Sequence, residues 1–249
     1  MDDLYPMVFK RKSIRKFDKN LSITEEELAV LEKKIDELKP LVNDIKVRFS
    51  IVKRKKTTAK RGEYCLLMYS EEKPFYLQNA GYMLEQIDLF LASCDIGVCW
   101  YGVAKPLEKQ YAGLKYIVML AFGKCSSDDF RKEISEYKRK PVNSIWQGNY
   151  FSDIAEVVRI APSGCNLQPW RITCSNNEIK VCKYTKTERF PNKKLALYTE
   201  TDYSLIDMGI CLCYLEICLS HKSYSFERQL HKENEAANLI MDIADYTII

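Results

Sequence analysis

Two stretches of this chain are too apolar to lie on a surface. In Gln78 to Ser93, Leu84, Ile87, Leu91 and their neighbours make the pattern apolar on more than one face. Such a helix belongs at the centre of a core rather than on its rim. Asp207 to Leu219 reads as a second apolar helix. Setting Gly81 on Gly209 puts Leu84 on Leu212, Leu91 on Leu219 and Asp88 on Glu216. This short match suggests an internal duplication, two half-domains each burying a helix against the other. A length of 249 residues, 47% hydrophobic and 29% charged, is ample for such a core and typical of a globular chain.

The remaining elements fall into two similar series. Thr24 to Leu38 reads as a helix, with Thr24 and Glu27 spaced as a capping box and Pro40 marking its end. Lys46 to Val52 alternates as a strand, with Val47, Phe49 and Ile51 on one side. Tyr64 to Tyr69 is an apolar strand. Asp95 to Gly102 is a short loop and strand, and Tyr116 to Phe122 is a buried strand stopped by Gly123. Residues 124 to 144 are polar and serve as the connector. The order then begins again: a helix over Phe151 to Ile160, strands over Arg171 to Cys174 and Ile179 to Tyr184, the second apolar helix, and a closing strand over Tyr246 to Ile249.

Several functions are disfavoured early. The net charge is only +4, which does not favour nucleic acid as the main ligand. No apolar run is read as reaching the roughly 18 residues of a membrane span. Met1 to Lys10 lacks the apolar stretch of a secretory signal. The expected location is the cytoplasm, with no membrane partner. The ten cysteines include no C-x-x-C pair, and those at 65, 94, 99, 211, 213 and 218 lie within apolar runs. They read as buried free thiols rather than disulfides, and no metal site is expected. His221 and His231 are too isolated to suggest a metal or a catalytic triad. The basic run Lys53 to Lys56 reads as a solvated turn.

Two stretches carry chemistry. Arg11-Lys-Ser-Ile-Arg-Lys-Phe17 places three cations and a hydroxyl within its first five residues. In an extended segment Arg11, Ser13 and Arg15 project to one side, a set suited to a phosphate. On this segment alone, a solvated basic face near a terminus reads equally well. Ala161-Pro-Ser-Gly-Cys-Asn-Leu-Gln-Pro-Trp170 is stiffened by two prolines and offers Ser163, Asn166 and Gln168 as polar groups. Such a loop meets the requirements for reading the edge of a flat heterocycle, and it would also serve as a structural helix-to-strand turn.

At these two stretches the sequence resembles the FMN-dependent nitroreductase family. The first is similar to the family's R-x-S-x-R-x-F, the second to its A-P-S-x-x-N-x-Q-P-W. Gly97-Val-Cys-Trp-Tyr-Gly102 resembles the segment that passes near the flavin. The resemblance implies an α+β, nitroreductase-like fold with helices packed on antiparallel or mixed sheets. It implies that Arg11, Lys12, Ser13 and Arg15 hold the FMN phosphate and ribityl chain. Pro162, Ser163, Gly164 and Asn166 would border the isoalloxazine ring, assisted by Gln168. Backbone groups of Tyr101 and Gly102 would approach N5, and Lys60 or Arg61 the pyrimidine edge.

One departure bears on architecture. The two motifs usually lie a few tens of residues apart, but here about 150 residues separate Ser13 from Ser163. Aligning strand on strand sets Asn43 against Asn166, and around Asn43 the Q-P-W signature is gone. The second half opens on Lys138-Arg-Lys-Pro-Val, with no R-x-S-x-R. The chain thus resembles a fused branch in which one polypeptide imitates the family's homodimer, with halves 1–138 and 139–249 acting as one unit. Further self-association is left open.

The function implied is a flavin oxidoreductase. NADH or NADPH would pass hydride to flavin N5, and a nitroaromatic, quinone or other electron-poor small molecule would then be reduced. No side chain is required as acid or base, so no catalytic residue is named. Two rivals remain: a flavin storage or sensing protein without turnover, and a basic interaction module built on Lys53 to Arg61. Because the chain holds one copy of each motif, titration of apoprotein with FMN is expected to saturate at one flavin per chain. Two per chain would contradict the fused reading.

Overall fold

The computed structural model describes residues 2–107, 111, 113–184, 203–232 and 240–249. The chain divides into two compact units. The first is Pro6–Glu136, and the second is Tyr137–Ile249 together with Met1–Tyr5. The division falls two residues before the expected boundary at 138, and the N-terminal five residues group with the second unit.

In the first unit, α1 (Met7–Lys10) and α2 (Glu25–Asp36) precede β1 (Val47–Lys53), β2 (Tyr64–Ser70), α3 (Tyr76–Ser93), β3 (Ile96–Tyr101) and β4 (Lys115–Lys124). The strands form an antiparallel sheet in the order β1-β2-β4-β3. All seven residues of β2 are buried. On one face of the sheet, Cys65, Leu67 and Tyr69 of β2 pack with Met119 and Ala121 of β4 and with Ala59 and Ala104; β2 and β4 also contact α3. Covering both faces explains why β2 reads as a continuous apolar run rather than an alternating one. The capping box of α2 is formed as its spacing predicts: Thr24 Oγ1 accepts from Glu27 N, and Glu27 accepts from Thr24 N.

The polar residues inside α3 have specific tasks. Asn79 Oδ1 accepts from Leu41 N (2.8 Å) and Val42 N (3.2 Å). Gln86 exchanges bonds with both backbone groups of Lys39. These side chains tie the 39–42 loop to the helix, satisfying backbone groups that would otherwise be buried without partners. Strand β4 runs through Gly123 to Lys124 rather than stopping at the glycine, because Gly123 still pairs with Gly97.

In the second unit, β5 (Trp146–Gln147), α4 (Ser152–Arg159), β6 (Trp170–Cys174), β7 (Glu178–Tyr184), α5 (Tyr203–His221), β8 (Phe226–Leu230) and β9 (Ile240–Ile248) follow one another. The sheet order is β5-β6-β7-β9-β8. Strand β5 is parallel to β6, and the remaining pairs are antiparallel. Apart from β5, the connectivity repeats that of the first unit: two strands, a long buried helix, then two strands with the last one inserted between the second and third. Strand β8 carries no clear sequence signal, because Phe226, Arg228 and Leu230 alternate with exposed Glu227 and Gln229 over only five residues. Strand β9 begins at Ile240, earlier than its apolar end suggests. Gly148 has a φ of +106°, and a Cβ there would fall 2.3 Å from the carbonyl oxygen of Cys174, so only glycine fits.

The expectation that no apolar run reaches membrane-spanning length needs correction. Helix α5 extends to 19 residues with a mean hydropathy of 1.5, enough by length and composition alone. However, 83% of that stretch is buried within the protein. It also carries Asp207 and Glu216, both engaged by hydrogen bonds. It is a core helix. Glu216 accepts from the Tyr246 hydroxyl (2.8 Å) and pairs with Arg228.

The thiols are all unpaired by disulfides, with Cys65, Cys99, Cys174, Cys211, Cys213 and Cys218 buried. Cys94 is exposed, contrary to its apolar context, because it caps the C-terminal end of α3. Burial pushes the Cys218 thiol up to about 12, and burial with nearby Asp129 pushes Cys125 up to about 11, from an ordinary 9.0. The unfolded chain therefore releases these protons first as pH rises. Stability is expected to be intact below pH 9 and to fall between pH 9 and 12, as read by urea denaturation at stepped pH. Glu216→Ala is expected to cost about 1.5–3 kcal/mol in the same assay, since it removes the buried carboxylate that accepts from the Tyr246 hydroxyl and pairs with Arg228.

Candidate functional site

The first-unit cluster begins at the end of α1. Arg11 terminates that helix, its N–H bonded to Met7 O (2.8 Å), and the chain then runs extended beside β3. Ser13 forms a parallel bridge with Val98, and Ile14 N donates to Val98 O (2.8 Å). Gly97 leaves room for this approach: a Cβ there would lie 2.9 Å from Ile14 Cγ2 and from Cys125 Sγ.

The residues of this segment do not share one environment. Arg11, which the resemblance assigns to the FMN phosphate, is only 1% exposed. Its Nε donates to Asp88 Oδ2 (2.8 Å) and lies 3.8 Å from Glu85 Oε1, while Nη2 donates to Ser13 Oγ (3.2 Å). Asp88 Oδ2 also accepts from Trp100 Nε1 (2.8 Å), and Arg131 donates to the Arg11 carbonyl. Arg11 is thus the interior anchor of the segment. Lys12 and Ser13 are half-buried, and Arg15 is exposed.

Arg15 makes no ion pair among the described residues, but its charge acts on the Cys99 thiol. The charge of Arg61 acts there too. Burial raises the Cys99 pKa, and the two guanidiniums oppose the rise. Lys60 and Arg61 are both exposed at the end of the turn that precedes β2. Tyr101 is half-buried against the apolar cluster formed by Cys65, Leu67 and Tyr69. Gly102 has open space where a Cβ would stand.

The second-unit loop is held from both sides. Ser163 Oγ accepts from Gln168 N (2.9 Å), and the Gly164 N–H is shared by both oxygens of Asp207 (3.0 and 3.2 Å). Three residues adopt left-handed backbone, Cys165, Asn166 and Gln168, with φ of 51°, 59° and 49°. Pro162 and Gln168 are buried, whereas Asn166 is exposed. Asn166 Oδ1 accepts from Arg139 Nη1 (2.7 Å), and its Nδ2 donates to Lys138 O (2.9 Å). Gln168 Oε1 accepts from Lys140 N (2.7 Å), and its Nε2 donates to Asn166 O (2.9 Å). Arg139 further donates to the carbonyls of Ala161 (3.1 Å) and Ile160 (3.2 Å).

Sequence reasoning missed the supports. Lys138, Arg139 and Lys140 were assigned to a connector, yet they clamp the loop. Asp88, Trp100 and Asp207 were given no role. A carboxylate inside an otherwise apolar helix was the available signal for both aspartates.

The comparison with known families agrees with this picture. The model described as "Putative TM nitroreductase" matches residues 3–219. The chain belongs to this nitroreductase family. A Thermotoga maritima crystal structure titled as that of a "putative nitroreductase" is similar in fold, with a TM-score of 0.62. The two are 18% identical, and the match covers 99% of this chain and 93% of that one. No curated protein matches the sequence. The nitroreductase-like fold, with helices on antiparallel and mixed sheets, is thus the fold of this protein.

The two arginines of the family's R-x-S-x-R motif should separate experimentally. Arg11→Ala is expected to cost about 3–5 kcal/mol of stability, because it leaves Asp88 buried without its cation. Arg15→Ala is expected to stay within about 0.5 kcal/mol of the parent by chemical denaturation. Equal losses in the two variants would contradict the buried-anchor assignment. In the loop, a double-mutant cycle between Arg139 and Asn166 is expected to give a coupling of about 0.5–1 kcal/mol, the scale of an exposed charge-assisted bond; a coupling near zero would remove the clamp.

Proposed function

We propose that this nitroreductase-family protein is an FMN-dependent oxidoreductase that uses NADH or NADPH to reduce electron-poor small molecules. The observation carrying this reading is the graded cluster at 11–15. One arginine is spent on holding the segment in place, and the second, two residues beyond Ser13, is left exposed. A dianionic phosphate requires donors that folding has not already consumed, and Arg15 meets that condition. The donor set therefore fits the phosphate end of FMN.

In this reading Arg15, Ser13 and Lys12 bind the phosphate, and Arg11 acts indirectly by orienting the Ser13 hydroxyl. The role of residues 162–168 in bordering the ring is proposed from their motif. Their supports suit it: Asp207 and Arg139 fix a strained loop in one conformation, so little ordering cost remains for a ligand. Bound flavin supplies the hydride-accepting chemistry, which no side chain of the protein can provide. The open space beside Gly102 leaves backbone accessible to a planar ligand.

Absorption of the purified protein, followed by FMN titration of the apoprotein, tests the proposal. Flavin bands, saturable binding and NAD(P)H oxidation in the presence of a quinone are the expected results. A protein that stays colourless after incubation with FMN would refute it. Bound flavin without turnover would instead indicate a flavin-binding protein of another purpose. Arg15→Ala is expected to weaken FMN binding by roughly tenfold or more, the loss of one charge-assisted contact.

A further inference from the structure

A second concentration of positive charge lies outside the cluster at 11–15. The β1–β2 hairpin, Lys53 to Glu63, holds six cations and one carboxylate, a net +5. The whole chain carries +4, so everything outside this hairpin is net −1. All six cations, Lys53, Arg54, Lys55, Lys56, Lys60 and Arg61, are exposed. Lys55 and Lys60 make no ion pair or side-chain hydrogen bond among the described residues.

The hairpin is a fixed platform rather than a loose loop. Arg54 N donates to Glu63 O (2.9 Å), and Thr57 N donates to Arg54 O (2.9 Å). The Thr57 hydroxyl donates to Arg54 O (2.9 Å) and accepts from Ala59 N (3.1 Å). Thr58 and Lys105 exchange two bonds of 2.9 Å, and Leu107 N donates to Lys56 O (2.9 Å). Holding several like charges in one rigid turn raises the local potential at a cost in self-repulsion that an anionic ligand relieves.

The one carboxylate in this stretch is occupied. Glu63 accepts from Ile23 N (2.8 Å) and lies 3.5 Å from Lys53 Nζ. Sites that select NADH present a carboxylate to the adenosine ribose, whereas sites that accept NADPH present cations. The hairpin has no aromatic residue between Lys53 and Glu63 on which bases could stack, which disfavours single-stranded nucleic acid.

We propose that the rigid hairpin from Lys53 to Arg61 binds the 2′-phosphate of NADPH and selects it over NADH as electron donor, a reading that rests on the oxidoreductase function proposed above. Lys55 is the primary contact, because folding does not use it, and Lys56 lies next to it on the same turn.

The test measures binding of adenosine 2′,5′-bisphosphate and adenosine 5′-monophosphate to the full-length protein by calorimetry at low salt. Steady-state kinetics with NADPH and NADH follow. The bisphosphate is expected to bind roughly tenfold tighter or more, and the preference for NADPH in kcat/KM to be of similar size. Lys55→Ala with Lys56→Ala is expected to abolish both differences, raising KM for NADPH while leaving NADH kinetics and the flavin spectrum unchanged. Equal binding of the two nucleotides, or a double variant that keeps the preference, would overturn the proposal. So would an oligonucleotide that displaces the bisphosphate with steep salt dependence, which would make the hairpin a nucleic-acid surface. Flavin-loaded protein without 2′-phosphate discrimination defeats this inference alone; protein that takes up no flavin defeats the oxidoreductase reading, and this inference with it.

Discussion

Asp88 sits near the C-terminal end of a helix that is buried along most of its length, where an unpaired carboxylate would cost several kcal/mol. It is neutralised by Arg11 and shares its second bond with the Trp100 indole. Those two bonds join three elements that are distant in sequence: the segment after α1, the core helix α3, and strand β3. The segment carrying Ser13 and Arg15 runs beside β3 because its first residue is anchored below. The exposed arginine of the motif owes its position to the buried one.

The second unit follows the same physical logic with different residues. Glu216, in the register that matches Asp88, is likewise a buried carboxylate on a core helix and likewise takes an arginine and an aromatic donor, here Arg228 and Tyr246. One turn from the N-terminus of α5, Asp207 holds the Gly164 N–H. In each unit, acidic residues within an apolar helix fix the segment that carries a sequence motif. Polar groups in these helices act as fasteners, and their burial makes the fastening specific, because water cannot compete for the bonds.

This arrangement also explains why motif residues differ in what they contribute. Gln168 is almost wholly buried and bonds Lys140 and Asn166, so it shapes the loop rather than faces solvent. Asn166 is exposed yet has both ends of its amide engaged by Lys138 and Arg139. Arg15 is exposed without an ion pair among the described residues. A motif written as a string of letters treats these positions alike, whereas folding has spent some and left others available.

Local signals in the sequence determined the elements that depend on local physics. The capping box at Thr24 and Glu27, the alternation of Val47, Phe49 and Ile51, and the apolar character of α3 and α5 each reflect interactions within a few residues, so each was legible. The two motifs were legible because residue type and spacing identify the family. Tertiary structure decided what depends on distant partners. Strand β8 exists because β9 pairs with it, not because its five residues favour extension. The burial of Arg11 follows from a carboxylate 77 residues away, and the clamp of Arg139 on Asn166 spans 27 residues. Charge alone cannot tell whether a cation faces water or an interior carboxylate, since either satisfies it, and only the fold makes that choice.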